Sequence, residues 1–127
     1  MSYRRLFLWV ALPLFSTMSF ADILGTYQCK GFDPGGNANY TNPISITKSG
    51  DVFNFQWLNT NGQPFNLGTG ILNPNQNNVL SVVFWDMKKP EYFGTMLYNI
   101  KEDGSLQGYW VIQSTVKIGT ENCVKDK

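Results

Sequence analysis

The sequence predicts an all-β fold: an eight-stranded antiparallel up-and-down barrel, closed by one disulfide between the first and last strands. Short apolar or alternating runs recur at even spacing, and turn residues such as Asn, Gly and Pro separate each run from the next. No segment keeps the apolar period of about 3.6 residues that marks a helix. The two cysteines fall in the first and last runs, which must be neighbours if the cysteines are joined. A sandwich with its ends brought together is the alternative.

Each of the eight runs is interpreted as one strand of a meander, because the loops between consecutive runs are short. Closing such a meander into a barrel removes its exposed first and last edges. The predicted strands are Ile23–Gly31, Tyr40–Lys48, Val52–Leu58, Phe65–Leu72, Val79–Trp85, Phe93–Lys101, Ser105–Gln113 and Ile118–Val124.

The N-terminal residues have the three zones of a secretory signal peptide. The basic pair Arg4-Arg5 precedes an apolar stretch, Leu6–Phe15, and a more polar segment ends in small residues at Ala21. The apolar stretch is about half of the roughly 20 residues that a transmembrane helix needs. We therefore expect residues 1–21 to be a signal peptide and residues 22–127 to be a single β-barrel domain. This domain is expected to be secreted or periplasmic, with no membrane association after cleavage.

Composition argues against several classes of function. The chain has 10 basic and 9 acidic residues and no histidine, and both arginines lie in the predicted signal peptide. Without histidine the commonest general base and metal ligand is missing, and a Ser-His-Asp triad is excluded. Without arginine the mature domain lacks the usual phosphate-binding fork and a basic patch for nucleic acid. We expect a protein that is not an enzyme, with no cofactor, no metal and no nucleic-acid partner.

Cys29 and Cys123 are predicted to form a disulfide. An even number of cysteines in an exported protein favours a bridge. Two thiols without histidine supply too few ligands for a structural metal site. On the chain-entropy argument, a bridge across a loop of this length stabilises the fold by roughly 4 to 5 kcal/mol.

Alternation along the strands assigns side chains to an inner and an outer face. Phe53, Phe55 and Trp57 share one face of the third strand, and Leu106 and Trp110 share one face of the seventh. We assign these residues to the interior and expect the barrel to be filled by side chains. The polar residues assigned to outer faces are Asn54, Gln56, Asn66, Gln107 and Gln113.

The fifth predicted strand is apolar on both faces. Its two sets are Leu80, Val82 and Phe84 on one face, and Val79, Val83 and Trp85 on the other. A lone small barrel buries one face of a strand, so the other face shows an apolar stripe to a partner. We take Val79, Val83 and Trp85 as the candidate interface, for a partner protein or for self-association.

Most acidic residues fall in or beside predicted turns, and Glu121 is the exception. It lies in the middle of the last strand, on the same face as Gly119 and Cys123. If that face is inward, the charge needs a lysine or hydrogen-bond donors to offset its desolvation. We expect Glu121 to be exposed at an edge or rim, and the alternative is a candidate buried acid.

Four short motifs are spread over nearly all of the mature chain: Gly25–Tyr27, Leu67–Leu72, Asp103–Trp110 and Gly119–Glu121. They resemble the Gly-x-Tyr, Gly-x-Gly, Asp-Gly-x-Leu-x-Gly-x-Trp and Gly-Thr-Glu segments of small exported bacterial β-barrel proteins. These proteins are similar in organisation to avidin and lipocalin barrels, and some carry a fibronectin-binding label. The resemblance implies a barrel with a binding role, and no biotin site is carried over to this chain.

A second resemblance is to periplasmic inhibitors of c-type lysozyme. Those proteins begin near Tyr-x-Cys and end near Asn-Cys, as Tyr27–Cys29 and Asn122-Cys123 do here. The Ser-Gly-rich inhibitory loop of that family has a partial match in Ser49–Phe53.

These observations lead to two functional hypotheses. The first is an exported non-enzymatic binding module that takes a protein or a small ligand, through the barrel mouth or the outer apolar stripe. The second is an inhibitor of a secreted enzyme such as c-type lysozyme, acting through a protruding loop.

Overall fold

The computed structural model describes residues 23–127 and shows a closed barrel of eight antiparallel strands, as predicted. The strands follow one another around the barrel in chain order, and β8 pairs with β1 to close it. The predicted signal peptide lies outside the described residues. The strands are β1 (Gly25–Asp33), β2 (Ala38–Ser49), β3 (Val52–Leu58), β4 (Pro64–Asn73), β5 (Gln76–Asp86), β6 (Phe93–Ile100), β7 (Leu106–Ile112) and β8 (Gly119–Lys125).

Strand ends differ from the prediction mainly at β5, which begins at Gln76 rather than Val79. The loop before it is a two-residue turn, Pro74–Asn75. The Oδ1 atom of Asn73 accepts a hydrogen bond from the backbone N–H of Asn75 at 2.8 Å, which helps to reverse the chain within two residues. The asparagine-rich segment therefore continues the strand instead of forming a longer loop.

The two ends of the barrel differ in how they are covered. At the end where β1 begins, two hairpins have two-residue turns, and Ile23 packs into the core just before the strand. The hydroxyl of Tyr27 donates a hydrogen bond to the carbonyl of Ile23 at 2.8 Å. We call this the closed end. The opposite end, where β1 finishes, carries the loops 34–37, 59–63, 87–92 and 113–118, none of which is a two-residue turn, and we call it the open end.

The predicted disulfide joins Cys29 to Cys123 across the strand pair that closes the barrel. The two residues lie directly opposite each other in the β1–β8 ladder, with Cα atoms 4.0 Å apart. Both side chains are buried in the interior. The bridge links positions 94 residues apart, so it closes nearly the whole described domain into one loop and restricts the unfolded chain.

The interior next to the disulfide is packed with aromatic rings. Phe55 stacks on Tyr98 with ring centroids 5.8 Å apart, and on Trp57 at 5.6 Å. Trp57 in turn contacts Phe84, with ring centroids at 5.8 Å. The prediction that Phe53, Phe55 and Trp57 face inward is confirmed, since all three are buried. Each such burial contributes roughly 1.5 to 3 kcal/mol.

The predicted outward orientation of Asn66 on β4 is wrong. Gly68 and Gly70 share its face, and both are buried, whereas Ile71 on the opposite face is 54% exposed. The reason is space, because a Cβ atom on Gly68 would lie 2.9 Å from the Trp57 ring. The glycine face of β4 therefore lies against the core rings, and its apolar face points outward.

The apolar face of β4 continues across three neighbouring strands as one surface. Val79, Val83 and Trp85 of β5 point outward, with Val83 44% exposed and the other two half-buried. Strand pairing aligns Val83 and Trp85 with outward residues of β4, β6 and β7, whereas Val79 pairs with the polar Asn99 of β6. We call this surface the outer apolar face, and its rows are Leu67, Trp85 and Phe93; Thr69, Val83, Thr95 and Val111; and Ile71, Ser81, Leu97 and Tyr109.

Candidate functional site

Glu121 lies on the inner face of β8 and is 1% exposed, so the expectation of an exposed position is wrong. Side chains two residues apart share a face of a strand, and Cys123 is fixed in the interior by its bridge to Cys29. The same alternation places Glu121 inside, next to the strand pair that closes the barrel. The structure thus shows the alternative that the sequence left open, a buried carboxyl group.

Two glycines flank Glu121 on the neighbouring strands, and a tyrosine lies beyond each of them. Glu121 pairs with Gly31 of β1 and with Gly108 of β7. Gly31 pairs in turn with Tyr40 of β2, and Gly108 pairs with Tyr98 of β6. A Cβ atom on Gly108 would lie 2.8 Å from the Tyr98 ring, and one on Gly31 would collide with the Tyr40 ring. The absent side chains leave the space through which both tyrosines reach the carboxylate.

Three neutral donors hold this carboxylate. The hydroxyl of Tyr98 donates to Oε2 at 2.5 Å, and the indole N–H of Trp57 donates to the same oxygen at 3.1 Å. The hydroxyl of Tyr40 lies 3.1 Å from Oε1 and 3.2 Å from the carbonyl of Thr120, so its single hydrogen is shared between these two acceptors. The Sγ atom of Cys123 is 3.8 Å from Oε2 but carries no hydrogen in the disulfide, so it does not donate. Hydrogen-bond donors, rather than a lysine, offset the burial of the charge.

Burial and hydrogen bonding change the pKa of Glu121 in opposite directions. Removal from water raises the pKa, whereas the hydrogen bonds from Tyr98, Trp57 and Tyr40 lower it. The effect of burial is larger, so the pKa lies above the ordinary value of 4.5. Burial, reinforced by the nearby Glu121 charge, raises the pKa of both tyrosines above the ordinary 10.0. Both tyrosines therefore remain hydrogen-bond donors while Glu121 titrates.

Glu121 and the two cysteines do not form a metal site. Their potential ligand atoms lie within 4.8 Å of one another. Both sulfurs are joined in the disulfide between Cys29 and Cys123, however, and metal ions bind cysteine as the thiolate. The bridge leaves a single carboxylate, which is too few ligands for a structural metal ion.

A pocket of about 520 Å³ extends from Glu121 to the loops of the open end. We call it the open-end pocket. Its volume lies within the range of about 300 to 1,000 Å³ that is typical of small-molecule sites. The expectation of a filled barrel is therefore correct near the closed end and wrong near the open end. The larger apolar side chains that line the pocket are Tyr40, Trp57, Leu58, Phe65, Phe84, Met96, Trp110 and Ile112.

Trp110 forms one side of the pocket. Its ring lies against Gly119, the residue opposite it on β8, and its indole N–H donates to the carbonyl of Thr120 at 3.1 Å. The ring also meets Tyr40 edge to face, with centroids 6.4 Å apart and planes at 62°. Trp110 is half-buried and lines the pocket. Hydrogen bonding and ring packing hold the pocket wall in place.

Sequence reasoning identified Glu121 and placed Trp57 inside, but it missed Tyr40 and Tyr98. Tyr98 lies on the buried face of β6, where buried and more exposed positions alternate. A buried tyrosine hydroxyl usually finds a hydrogen-bond partner. That pattern is a usable signal, although it does not name the partner. Val83 and Trp85 of the candidate interface lie on the outer apolar face, Val79 lies outside its rows, and none of the three lines this site.

Comparison with known proteins bears on the fold. No family model and no curated protein matches this chain. Among solved structures, the chain is similar to a redesigned beta barrel with a TM-score of 0.65 and 10% identity, over 85% of this chain and 95% of that one. At this identity the likeness shows the fold alone. Within residues 23–127 no helix is long and apolar enough to cross a membrane.

We expect the wild-type protein to lose stability relative to Glu121→Gln as pH rises. The folded-state pKa of Glu121 lies above the ordinary 4.5, so the protonated form is favoured by folding. The stability gained from burying protonated Glu121 is fully present below pH 4.5 and is lost as pH rises through the folded-state pKa. Urea unfolding of both proteins from about pH 4 to about pH 9 measures the difference in the free energy of unfolding.

The other titrating groups are common to both proteins and cancel in this difference. A difference that is independent of pH, or that favours the wild type increasingly at high pH, would contradict the burial of Glu121.

Proposed function

We propose that this protein is an exported, non-enzymatic binding module that takes a small ligand into the open-end pocket. The observation that carries the proposal is the pocket itself, which is concave and lined mainly by apolar and aromatic side chains. Small-molecule sites have this composition, with a few polar groups that fix the orientation of the ligand. Glu121, at the inner end of the pocket, is such a group.

The site is built to keep its shape before a ligand arrives. Most of its side chains project from strands, with Asn59 and Thr60 of the β3–β4 loop as the exceptions, and the three donors to Glu121 come from three different strands. The disulfide lies two residues farther along β1 and β8, so these strands cannot separate without breaking it. A preorganised pocket loses less conformational entropy on binding, which favours affinity.

Export is supported by the chemistry of the cysteines. The bridge between Cys29 and Cys123 forms in an oxidising compartment such as the periplasm or the extracellular medium. The proposed signal peptide and its cleavage after Ala21 agree with that location.

The inhibitor hypothesis has less support. It rests on the partial match at Ser49–Phe53, where β2 and β3 are joined by a turn of two residues, Gly50–Asp51. An inhibitor that works through a protruding loop needs residues beyond the strands to enter its target. The β3–β4 loop, 59–63, instead contributes Asn59 and Thr60 to the lining of the open-end pocket.

We predict that Ile112→Trp blocks binding of the neutral dye Nile red, because the larger ring occupies the open-end pocket. The matched control is Val111→Trp, which adds the same ring next to it in the chain but on the outer apolar face. A fluorescence titration should show saturable binding by the wild type and the control, and affinity at least about tenfold lower in Ile112→Trp. Equal affinity in the two variants, or the absence of saturable binding by the wild type, would refute the proposal.

A second candidate function is self-association through the outer apolar face. Its three rows contain no charged residue, and several of its side chains are well exposed, including Val83 at 44% and Leu97 at 40%. Two copies packed through this face would bring no like charges together, and contiguous exposed apolar surface commonly marks an interface. We therefore propose a second copy of this chain as the partner.

For this second candidate, we expect Val83→Lys combined with Trp85→Ser to convert a dimer into a monomer. A buried lysine without a partner costs several kcal/mol, so the interface should be lost while the barrel stays folded. Val124→Lys is the control, since Val124 is 65% exposed on β8, outside the outer apolar face. Sedimentation equilibrium measures the mass of each protein. A wild type that sediments as a monomer at all concentrations would eliminate self-association.

A further inference from the structure

We infer that the ligand of the open-end pocket is an organic cation, in which a protonated amine is carried on an apolar body that contains a ring. This inference rests on the proposed function and adds to it the chemical class of the ligand. It is carried by the charges that line the pocket, by the free acceptor capacity of Glu121 and by the aromatic side chains around them.

The charged side chains that line the pocket are both acidic. Asp33 lies at the open end of β1, and Glu121 lies at the inner end of the pocket. No lysine lines the pocket among residues 23–127, and that part of the chain contains neither arginine nor histidine. A ligand carboxylate or phosphate would therefore meet two like charges and no positive partner. A ligand cation would meet opposite charge in a partly dry site, where Coulomb attraction is stronger than in water.

Glu121 has acceptor capacity that the protein leaves unused. Its Oε2 atom accepts two hydrogen bonds, from Tyr98 and Trp57, whereas Oε1 accepts one, from Tyr40. A carboxylate offers about four acceptor positions, so Oε1 can accept a further hydrogen bond. The three protein donors orient the carboxylate but bring no positive charge. A ligand ammonium supplies both the missing hydrogen bond and the missing charge.

Aromatic rings lie beside the carboxylate and are the second feature of this site that favours a cation. Trp57, Trp110 and Tyr40 all line the pocket. The Trp110 and Tyr40 rings pack edge to face at 62°, and the Tyr40 hydroxyl lies 3.1 Å from the Glu121 carboxylate, so both rings lie close to the charge. The face of an aromatic ring attracts cations, and tryptophan does so most strongly. The same rings would bury the apolar body of an organic ligand. A small inorganic cation has no such body.

The experiment compares three probes that carry the same phenyl ring and four methylenes and differ only in their polar head: 4-phenylbutylammonium, 4-phenylbutan-1-ol and 5-phenylpentanoate. Isothermal titration calorimetry of the mature, disulfide-bonded protein gives the affinity of each. We expect the ammonium to bind at least about tenfold more tightly than the alcohol, as a charge-assisted hydrogen bond allows, and the carboxylate to bind most weakly.

Variants then show which residue causes the preference for the ammonium over the alcohol. In Glu121→Gln the ratio of ammonium to alcohol affinity should fall to within about threefold, because the amide keeps the shape of the side chain but not its charge. Glu102→Gln, which removes an exposed charge in the β6–β7 loop of the closed end, should keep the wild-type ratio. Should Glu121→Gln fail to fold by circular dichroism, Asp33→Asn provides a second removal of charge from the pocket and should lower the same ratio.

The outcomes separate this inference from the proposed function. If the wild type binds the alcohol as tightly as the ammonium, the pocket is a ligand site without a preference for cations, and the inference is overturned. If none of the three probes binds while Nile red still does, the inference alone is overturned, and if Nile red also fails to bind, the proposed function falls as well. An equal ratio in all variants would show that the preference arises outside the pocket, which also overturns the inference.

Discussion

Burying one carboxylate in a small barrel requires hydrogen-bond donors that reach it from several strands at once. Here the strand pairing provides two of the three donors in a single row across five neighbouring strands, Tyr40, Gly31, Glu121, Gly108 and Tyr98, and Trp57 of β3 provides the third. Each tyrosine passes over a glycine to reach the carboxylate, so the row works only with small residues on both sides of the acid. An unsatisfied buried carboxylate would cost several kcal/mol, which makes this arrangement a condition for the fold as well as for the site.

The disulfide fixes the register of that row. Cys29 and Cys123 face each other two positions along the same two strands that pair Gly31 with Glu121. A slip of one residue between two strands turns side chains to the opposite face, and the covalent link prevents such a slip. The closure of the barrel and the positioning of the carboxylate therefore depend on the same strand pair. The aromatic rings around the row complete the interior on one side and the wall of the open-end pocket on the other.

The strands and the disulfide could be predicted because their signals are local or depend on two cysteines alone. The orientation of β4 could not, since its glycine face is selected by a ring from the neighbouring strand, that of Trp57 against Gly68. Alternation identifies the two faces of a strand but does not state which one is inward when the inner face has no side chain. The partners of Glu121 were missed for a related reason, because Tyr98 and Tyr40 lie 23 and 81 positions away in sequence.

The most direct test of the binding site is the response of the indole N–H signals in a two-dimensional NMR spectrum during addition of 4-phenylbutylammonium. The described residues contain two tryptophans that line the open-end pocket, Trp57 and Trp110, and one on the outer apolar face, Trp85. A ligand that binds beside Glu121 should shift the signals of Trp57 and Trp110 and leave that of Trp85 unchanged. A shift confined to Trp85 would place the probe on the outer apolar face and contradict the account.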